Sequence, residues 1–170
     1  MSALTINQPA PDFALPDLHG RPFRLSDLRG QVVVVNFWSA ECPWVERTDS
    51  ELQQYSEAWG ARVVLLRVAA NANESDEMLR DASRARNVDI ILKDFAAKVA
   101  DLYAAQTTPH LFVVDKEGIL RYQGAFNDVT FRQRTPTRFY LKNAVDALLA
   151  GQLPQVAEAP PYGCTIVREI

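Results

Sequence analysis

The segment that most constrains this chain is Gln31–Trp38, in which Val32, Val33, Val34 and Val35 follow one another and Phe37-Trp38 close the run. A stretch of strand length that is apolar from Val32 to Trp38 except at Asn36, without regular polar alternation, fits a central parallel strand covered on both faces. The polar residues after it, within Ser39-Ala40-Glu41-Cys42-Pro43-Trp44-Val45, open a helix, so Cys42 falls near that helix's first turn. Unpaired backbone amides and the positive end of the helix dipole favour a thiolate there, and the thiolate is the nucleophilic form. An inert buried cysteine is the plain alternative. Position argues for reactivity, because reacting groups gather at strand ends in open α/β sheets. A local dithiol motif would place its second sulfur three residues on, and that residue is Val45.

With 170 residues, 48% of them hydrophobic, the chain can bury one full core and carry a tail. Its 18 basic and 21 acidic residues give a formal charge of −3 with no long block of either sign, which argues against a nucleic-acid partner. Neither a basic leader nor an apolar segment stands in Met1–Pro9, and no later stretch approaches a membrane span. No membrane association and a cytoplasmic location are therefore expected. Two cysteines, Cys42 and Cys164, are too sparse for a disulfide scaffold or a zinc site. His19 and His110 stand far apart and outside metal-ligand spacing, and read as turn or strand-edge residues, so neither a metal nor another cofactor is assigned.

Pro9, Pro11 and Pro16 exclude a helix at the start, and Leu18-His19-Gly20-Arg21 reads as the turn of an edge hairpin. Cys42 to Trp59 reads as a helix stopped by Gly60, and Arg62 to Ala69 as the next buried strand. Asn71, Asn73 and Ser75 supply turn and capping chemistry for a helix reaching Asn87, followed by a strand over Val88–Leu92. A third helix is expected over Phe95–Ala104. Thr107-Thr108-Pro109 then precedes a strand over Leu111–Asp115, a turn at Lys116-Glu117-Gly118 and a strand over Ile119–Phe126. Thr137–Leu149 reads as a last amphipathic helix. From Gln152 the helical period is lost, so residues 152–170, with Cys164 near their end, form an extension from the domain over residues 1–151.

This order of parts resembles the thioredoxin fold: an α/β architecture with a central mixed sheet flanked by helices, here with an N-terminal β-hairpin extension and a C-terminal arm. Ala10-Pro11-Asp12-Phe13, Gly20 and Leu25-Ser26-Asp27-Leu28-Arg29-Gly30 look like the amino-terminal extension of peroxiredoxins and related thioredoxin-like proteins. Together with Cys42-Pro43-Trp44-Val45, Thr107-Thr108-Pro109-His110 and Gly163-Cys164-Thr165-Ile166, they resemble the peroxiredoxin-like branch of the alkyl hydroperoxide reductase and thiol-specific antioxidant family.

The resemblance implies an oxidoreductase with antioxidant activity in which Cys42 attacks. Ser39 matches the hydroxyl residue that orients a peroxide, and Pro109, after Thr108, matches the proline held cis against the active cysteine, where substrate backbone docks. Trp44 would line the approach to the sulfur. Val35 departs from the family's usual proline and removes part of the peroxide pocket. The arginine that the family supplies from afar could be Arg121, Arg132, Arg134 or Arg138. Glu41 beside the sulfur opposes a thiolate, whereas Arg47 would favour one. Glu46, four residues after Cys42, is either a proton-handling group or a solvated helix carboxylate.

Cys164 is either a resolving cysteine or a spare thiol. If it resolves, a sulfenic acid on Cys42 condenses with it and an external thiol reductant, thioredoxin-like or glutathione-like, restores the dithiol. Two other readings stay open: a thiol-disulfide exchange protein acting on disulfide rather than peroxide substrates, and a redox-sensing or binding module with no catalysis. A homodimer is compatible with all three.

Overall fold

The protein is described from a computed structural model over residues 4–169; Met1–Ala3 and Ile170 lie outside the described residues. A short hairpin, β1 (Ala14–Pro16) and β2 (Pro22–Arg24), leads through a 3-10 turn at Leu25–Leu28 into β3 (Val32–Trp38). Then come α1 (Pro43–Trp59), β4 (Val63–Ala69), α2 (Asp76–Arg86), β5 (Ile91–Lys93) and the short α3 (Lys98–Leu102). The chain continues through β6 (Thr107–Thr108), β7 (His110–Val114), β8 (Leu120–Gly124) and α4 (Tyr140–Leu149) to β9 (Cys164–Thr165).

Every residue of β3 is buried, as the valine run requires, because β3 is the middle strand of a five-stranded sheet ordered β5-β4-β3-β7-β8. It pairs parallel with β4, from Val32↔Val63 to Trp38↔Ala69, and antiparallel with β7, from Val33↔Val114 to Phe37↔His110. The sheet is therefore mixed and thioredoxin-like, with parallel β3, β4 and β5 and antiparallel β7 and β8. Strand pleating sends Val33, Val35 and Phe37 to one face, where they meet Phe13, Leu25, Tyr103 and Phe112. Val32 and Val34 point the other way, against Leu52 and Trp59 of α1 and Leu141 and Val145 of α4. The hairpin stands as its own two-stranded sheet, with Asp17 bridging to Leu92 beside the β5 edge.

Several expected elements are shorter than their sequence pattern, among them the strand expected over Ile119–Phe126, which spans Leu120–Gly124. The alanine-rich Phe95–Ala104 holds only a five-residue helix, because the Asp94 carboxylate accepts the amides of Val99 and Ala100 and starts the helix late. Ala96 and Ala97 before it are left-handed, with φ of 58° and 54°, and Phe95 is 72% exposed. The strand expected from Val88 begins only at Ile91, since Val88 is held by Ser83, whose carbonyl takes the Val88 amide and whose hydroxyl donates back to Val88. The last helix starts at Tyr140 rather than Thr137, because the amides of Thr137 and Arg138 are spent on the Asp128 carboxylate.

A buried polar junction joins α1 to the sheet. Asp49 of α1 accepts the Trp38 indole N–H at 2.9 Å, and lies 3.6 Å from Arg67 of β4 and 3.4 Å from Arg86 of α2. Burial pushes its carboxyl up, against the Trp38 hydrogen bond and the two guanidiniums, and burial pulls the Arg67 guanidinium down.

The segment after α4 runs back along β8. The Gln123 amide donates to Ala157, the Ala159 amide returns a bond to Gln123, and a side chain at Gly124 would collide with the Ala159 carbonyl. Its end, β9, pairs antiparallel with β6 in the register Thr108↔Cys164.

His110, expected at a strand edge, opens β7 and is buried against Phe112, with ring centroids 4.5 Å apart. Its Nδ1 accepts the Gln106 amide at 3.1 Å. Burial pulls the imidazole down to about 4, so the native state holds it neutral. The unfolded chain therefore binds a proton first as pH falls below about 6.5, and stability drops until the folded value is passed, by roughly 3 kcal/mol at most. Urea unfolding at pH 7 and near pH 4 should show that drop, and His110→Gln, which cannot titrate, should lose measurably less.

Candidate active site

The turn from β3 into α1 is built by groups from two other elements. The Ser39 hydroxyl donates to the Glu74 carboxylate and accepts the amides of Glu41 and Cys42, each at 3.2 Å. The other Glu74 oxygen accepts the Ala40 amide at 2.8 Å. From α2, Arg86 donates to the carbonyls of Ser39 and Ala40 while its guanidinium lies 5.2 Å from the Trp38 ring centroid. The Ser39 hydroxyl, the amides of Ala40, Glu41 and Cys42 and the carbonyls of Ser39 and Ala40 thus all have partners, which hold the backbone as it leaves β3.

That path makes Cys42 the N-cap of α1, with extended backbone (φ −79°, ψ 119°) and Pro43 at the first helical position. The Cys42 side chain makes no capping hydrogen bond to the helix. Cys42 thus stands at the positive end of the α1 dipole, a position that in general favours a thiolate over a thiol. Cys42 is 3% exposed and is joined to Cys164 in a disulfide, with Cα atoms 6.2 Å apart. Its Sγ lies 3.1 Å from the Thr108 carbonyl oxygen, and the Thr108–Pro109 peptide is cis. Ser39, Cys42, Thr108, Pro109 and Cys164 are thus brought together at the carboxyl end of β3.

Trp44 packs edge-on against Tyr162 of the arm, centroids 5.0 Å apart, and the two line a cleft with Arg47, Pro109 and Phe126. Arg47 donates to the Arg134 carbonyl and so ties down the loop before α4. Arg121 pairs with Asp115 at 2.8 Å, at the far end of the sheet from Cys42, and Arg134 stacks on Phe131. Arg86 is a cation that does reach the Cys42 turn. Glu46 is a solvated carboxylate, 70% exposed and 3.9 Å from Arg86. His19 sits in the β1–β2 turn, and among the described residues no cluster of His, Cys, Asp and Glu could hold a metal ion.

Two site residues escaped the sequence reading. Glu74 lies in a turn whose Asn and Ser residues signalled only helix capping, and Arg86 looks like an ordinary basic residue in a helix's last turn. No spacing rule links either to Ser39; the available signal was weak, namely a carboxylate in the loop after β4, at the same sheet end as Cys42.

The AhpC/TSA family profile matches residues 6–123, a span that includes Cys42 and Pro109 and stops before the arm. The thiol:disulfide interchange protein DsbE of Allochromatium vinosum is 31% identical over 120 residues, covering 69% of this chain and 65% of that protein. The thiol-disulfide oxidoreductase ResA of Geobacillus thermodenitrificans is 31% identical over 120 residues, covering 69% and 67%. The chain therefore matches about two thirds of the length of those relatives. A solved structure of a hypothetical protein from Sinorhizobium meliloti 1021 aligns with a TM-score of 0.87 at 29% identity, over 99% of this chain and 97% of the other, arm included. With a profile match over residues 6–123, most of the sheet and the Cys42 helix start included, the chain belongs to the AhpC/TSA family.

Proposed function

We propose that this protein is a thiol-disulfide oxidoreductase in which Cys42 and Cys164 together carry two electrons from an external thiol reductant to a disulfide substrate. The observation that carries this reading is the disulfide between Cys42 at the start of α1 and Cys164 of the arm, which the β6–β9 pairing holds opposite Thr108. The names of the DsbE and ResA relatives support the same class.

In the dithiol form the Cys42 thiolate attacks one sulfur of the substrate disulfide, forming a mixed disulfide and expelling the other substrate sulfur as a thiolate. Cys164, as thiolate, then attacks the Cys42 sulfur, so the substrate leaves with both cysteines reduced and the protein keeps the Cys42–Cys164 disulfide. A reductant dithiol returns two electrons by the reverse exchange. The role of Ser39 is to hold the helix-start amides, since its hydroxyl already serves Glu74, Glu41 and Cys42.

A second reading makes peroxide the oxidant of the same pair, and family membership favours it. There Cys42 attacks one peroxide oxygen, the other departs as alkoxide or hydroxide and takes a proton, and the sulfenic acid condenses with Cys164 to release water. The occupied Ser39 hydroxyl and Val35, buried in mid-strand, both weigh toward disulfide substrates.

Incubated with glutathione disulfide, Cys164→Ser should accumulate a glutathione adduct on Cys42 visible by mass spectrometry, the dithiol wild type should pass through it without accumulation, and Cys42→Ser should form none at Cys164. No adduct on Cys42 would sink the exchange reading, and rapid peroxide consumption without one would install the peroxide reading in its place. Arg86→Ala should leave two turn carbonyls open and Asp49 with one cation fewer. The expected loss is about 1–3 kcal/mol in urea unfolding, with slower iodoacetamide alkylation of Cys42 in the Cys164→Ser background.

A further inference from the structure

The arm holds Cys164 against Cys42 in a particular way. Thr165 and Cys164 form a strand antiparallel to Thr107–Thr108, and the Ile166 amide extends the pairing to the Gln106 carbonyl. One step further, the Val167 amide donates to the Asn71 side chain at 2.8 Å and the Val167 carbonyl accepts the Ala72 amide. Side chains along this strand alternate as an extended chain must: Cys164 faces the active cysteine, Thr165 faces solvent, and Ile166 is buried, 3% exposed, in the main core cluster. Most of these contacts use the arm's backbone, which any extended polypeptide could supply.

Two positions are read by shape. At Gly163 a Cβ would fall on the Thr108 carbonyl oxygen and lie 3.1 Å from Pro109 Cδ, and both obstacles are parts of the groove floor rather than movable side-chain ends. At Ile166 an aliphatic side chain fills a closed apolar socket. A ring at Tyr162 also packs on Trp44.

We propose that residues 162–167 are a built-in image of the polypeptide substrate, occupying the groove that the substrate itself uses. This rests on the exchange reading above and adds the substrate class: an extended strand with glycine immediately before its reacting cysteine and an aliphatic residue two places after it. The groove admits one strand at a time. Attack by Cys164 on the mixed disulfide therefore goes with replacement of the substrate strand by the arm, and the oxidised protein is closed to further substrate until its disulfide is reduced.

The test uses full-length Cys164→Ser protein with Cys42 reduced, and peptides copying residues 161–168 whose cysteine is activated as a mixed disulfide with thionitrobenzoate. Cys42 attacks the peptide sulfur and the coloured thionitrobenzoate anion leaves, so the rate is read directly. The glycine peptide should react about tenfold or more faster than peptides with alanine or valine in its place, and replacing the copied Ile166 with serine should also slow it. Adding Gly163→Ala to the protein should weaken the competing arm and speed the glycine peptide. Glutathione activated in the same way serves as a probe without strand requirements. Equal rates for all peptides, with glutathione reacting normally, overturn the groove proposal and leave the exchange reading standing. Failure of the glutathione probe to react overturns the exchange reading and this inference with it.

Discussion

The carboxylate of Asp49 is the point on which the active end of the molecule depends. It is buried, and it is met by an indole from β3, a guanidinium from β4 and another from α2. Desolvating a carboxylate costs several kcal/mol unless partners offset it, and removing one member of such a group leaves the rest uncompensated. The arrangement fixes how α1 lies on the sheet, and through Arg86 it also fixes the two carbonyls that precede Cys42. The position of Cys42 is thus set in part by a charge cluster centred on Asp49, through the Arg86 bonds to Ser39 and Ala40.

A second chain of hydrogen bonds approaches the same turn from the other direction. Asn71 accepts the Val167 amide with its side-chain oxygen and donates its nitrogen to Glu74 at 3.0 Å. Glu74 in turn holds Ser39 and Ala40, and Ser39 holds the amide of Cys42. Arm docking and Cys42 placement therefore share one hydrogen-bond network that runs from the exposed arm to the buried turn. The disulfide is only the covalent part of the connection between the two ends of the chain.

Much of this was legible in the residues and some of it was not. The Val32–Val35 run located the middle strand because a strand covered on both faces has no polar alternation, and a helix-start cysteine followed from the polar break after Trp38. Ser75 and Asn87 marked the ends of α2 through local capping, which is a short-range effect and readable in order along the chain. The third helix failed for an equally local reason hidden in one residue: Asp94 could have been a loop acid, yet it captures the amides that would have begun a longer helix. Glu74 and Arg86 were invisible because their partners are distant in sequence. That Cys164 reaches Cys42 stood only as one option until the fold laid the arm along β6, since a tail with no periodicity carries no information about where it docks.

The arm's attachment at β8 has a consequence for how often its cysteine meets Cys42. Ala157 and Ala159 are hydrogen-bonded to Gln123, and Gly124 lets the Ala159 carbonyl come close, so only residues 160–163 separate a fixed point from Cys164. A thiol on so short a leash samples a tiny volume, and short flexible tethers correspond to effective concentrations of about millimolar or above. In the proposed exchange cycle, an external thiol would compete for the Cys42 sulfur against a rival that never diffuses away. The residues of β8 that grip the arm would thus, in that proposed cycle, set the lifetime of a mixed disulfide on Cys42.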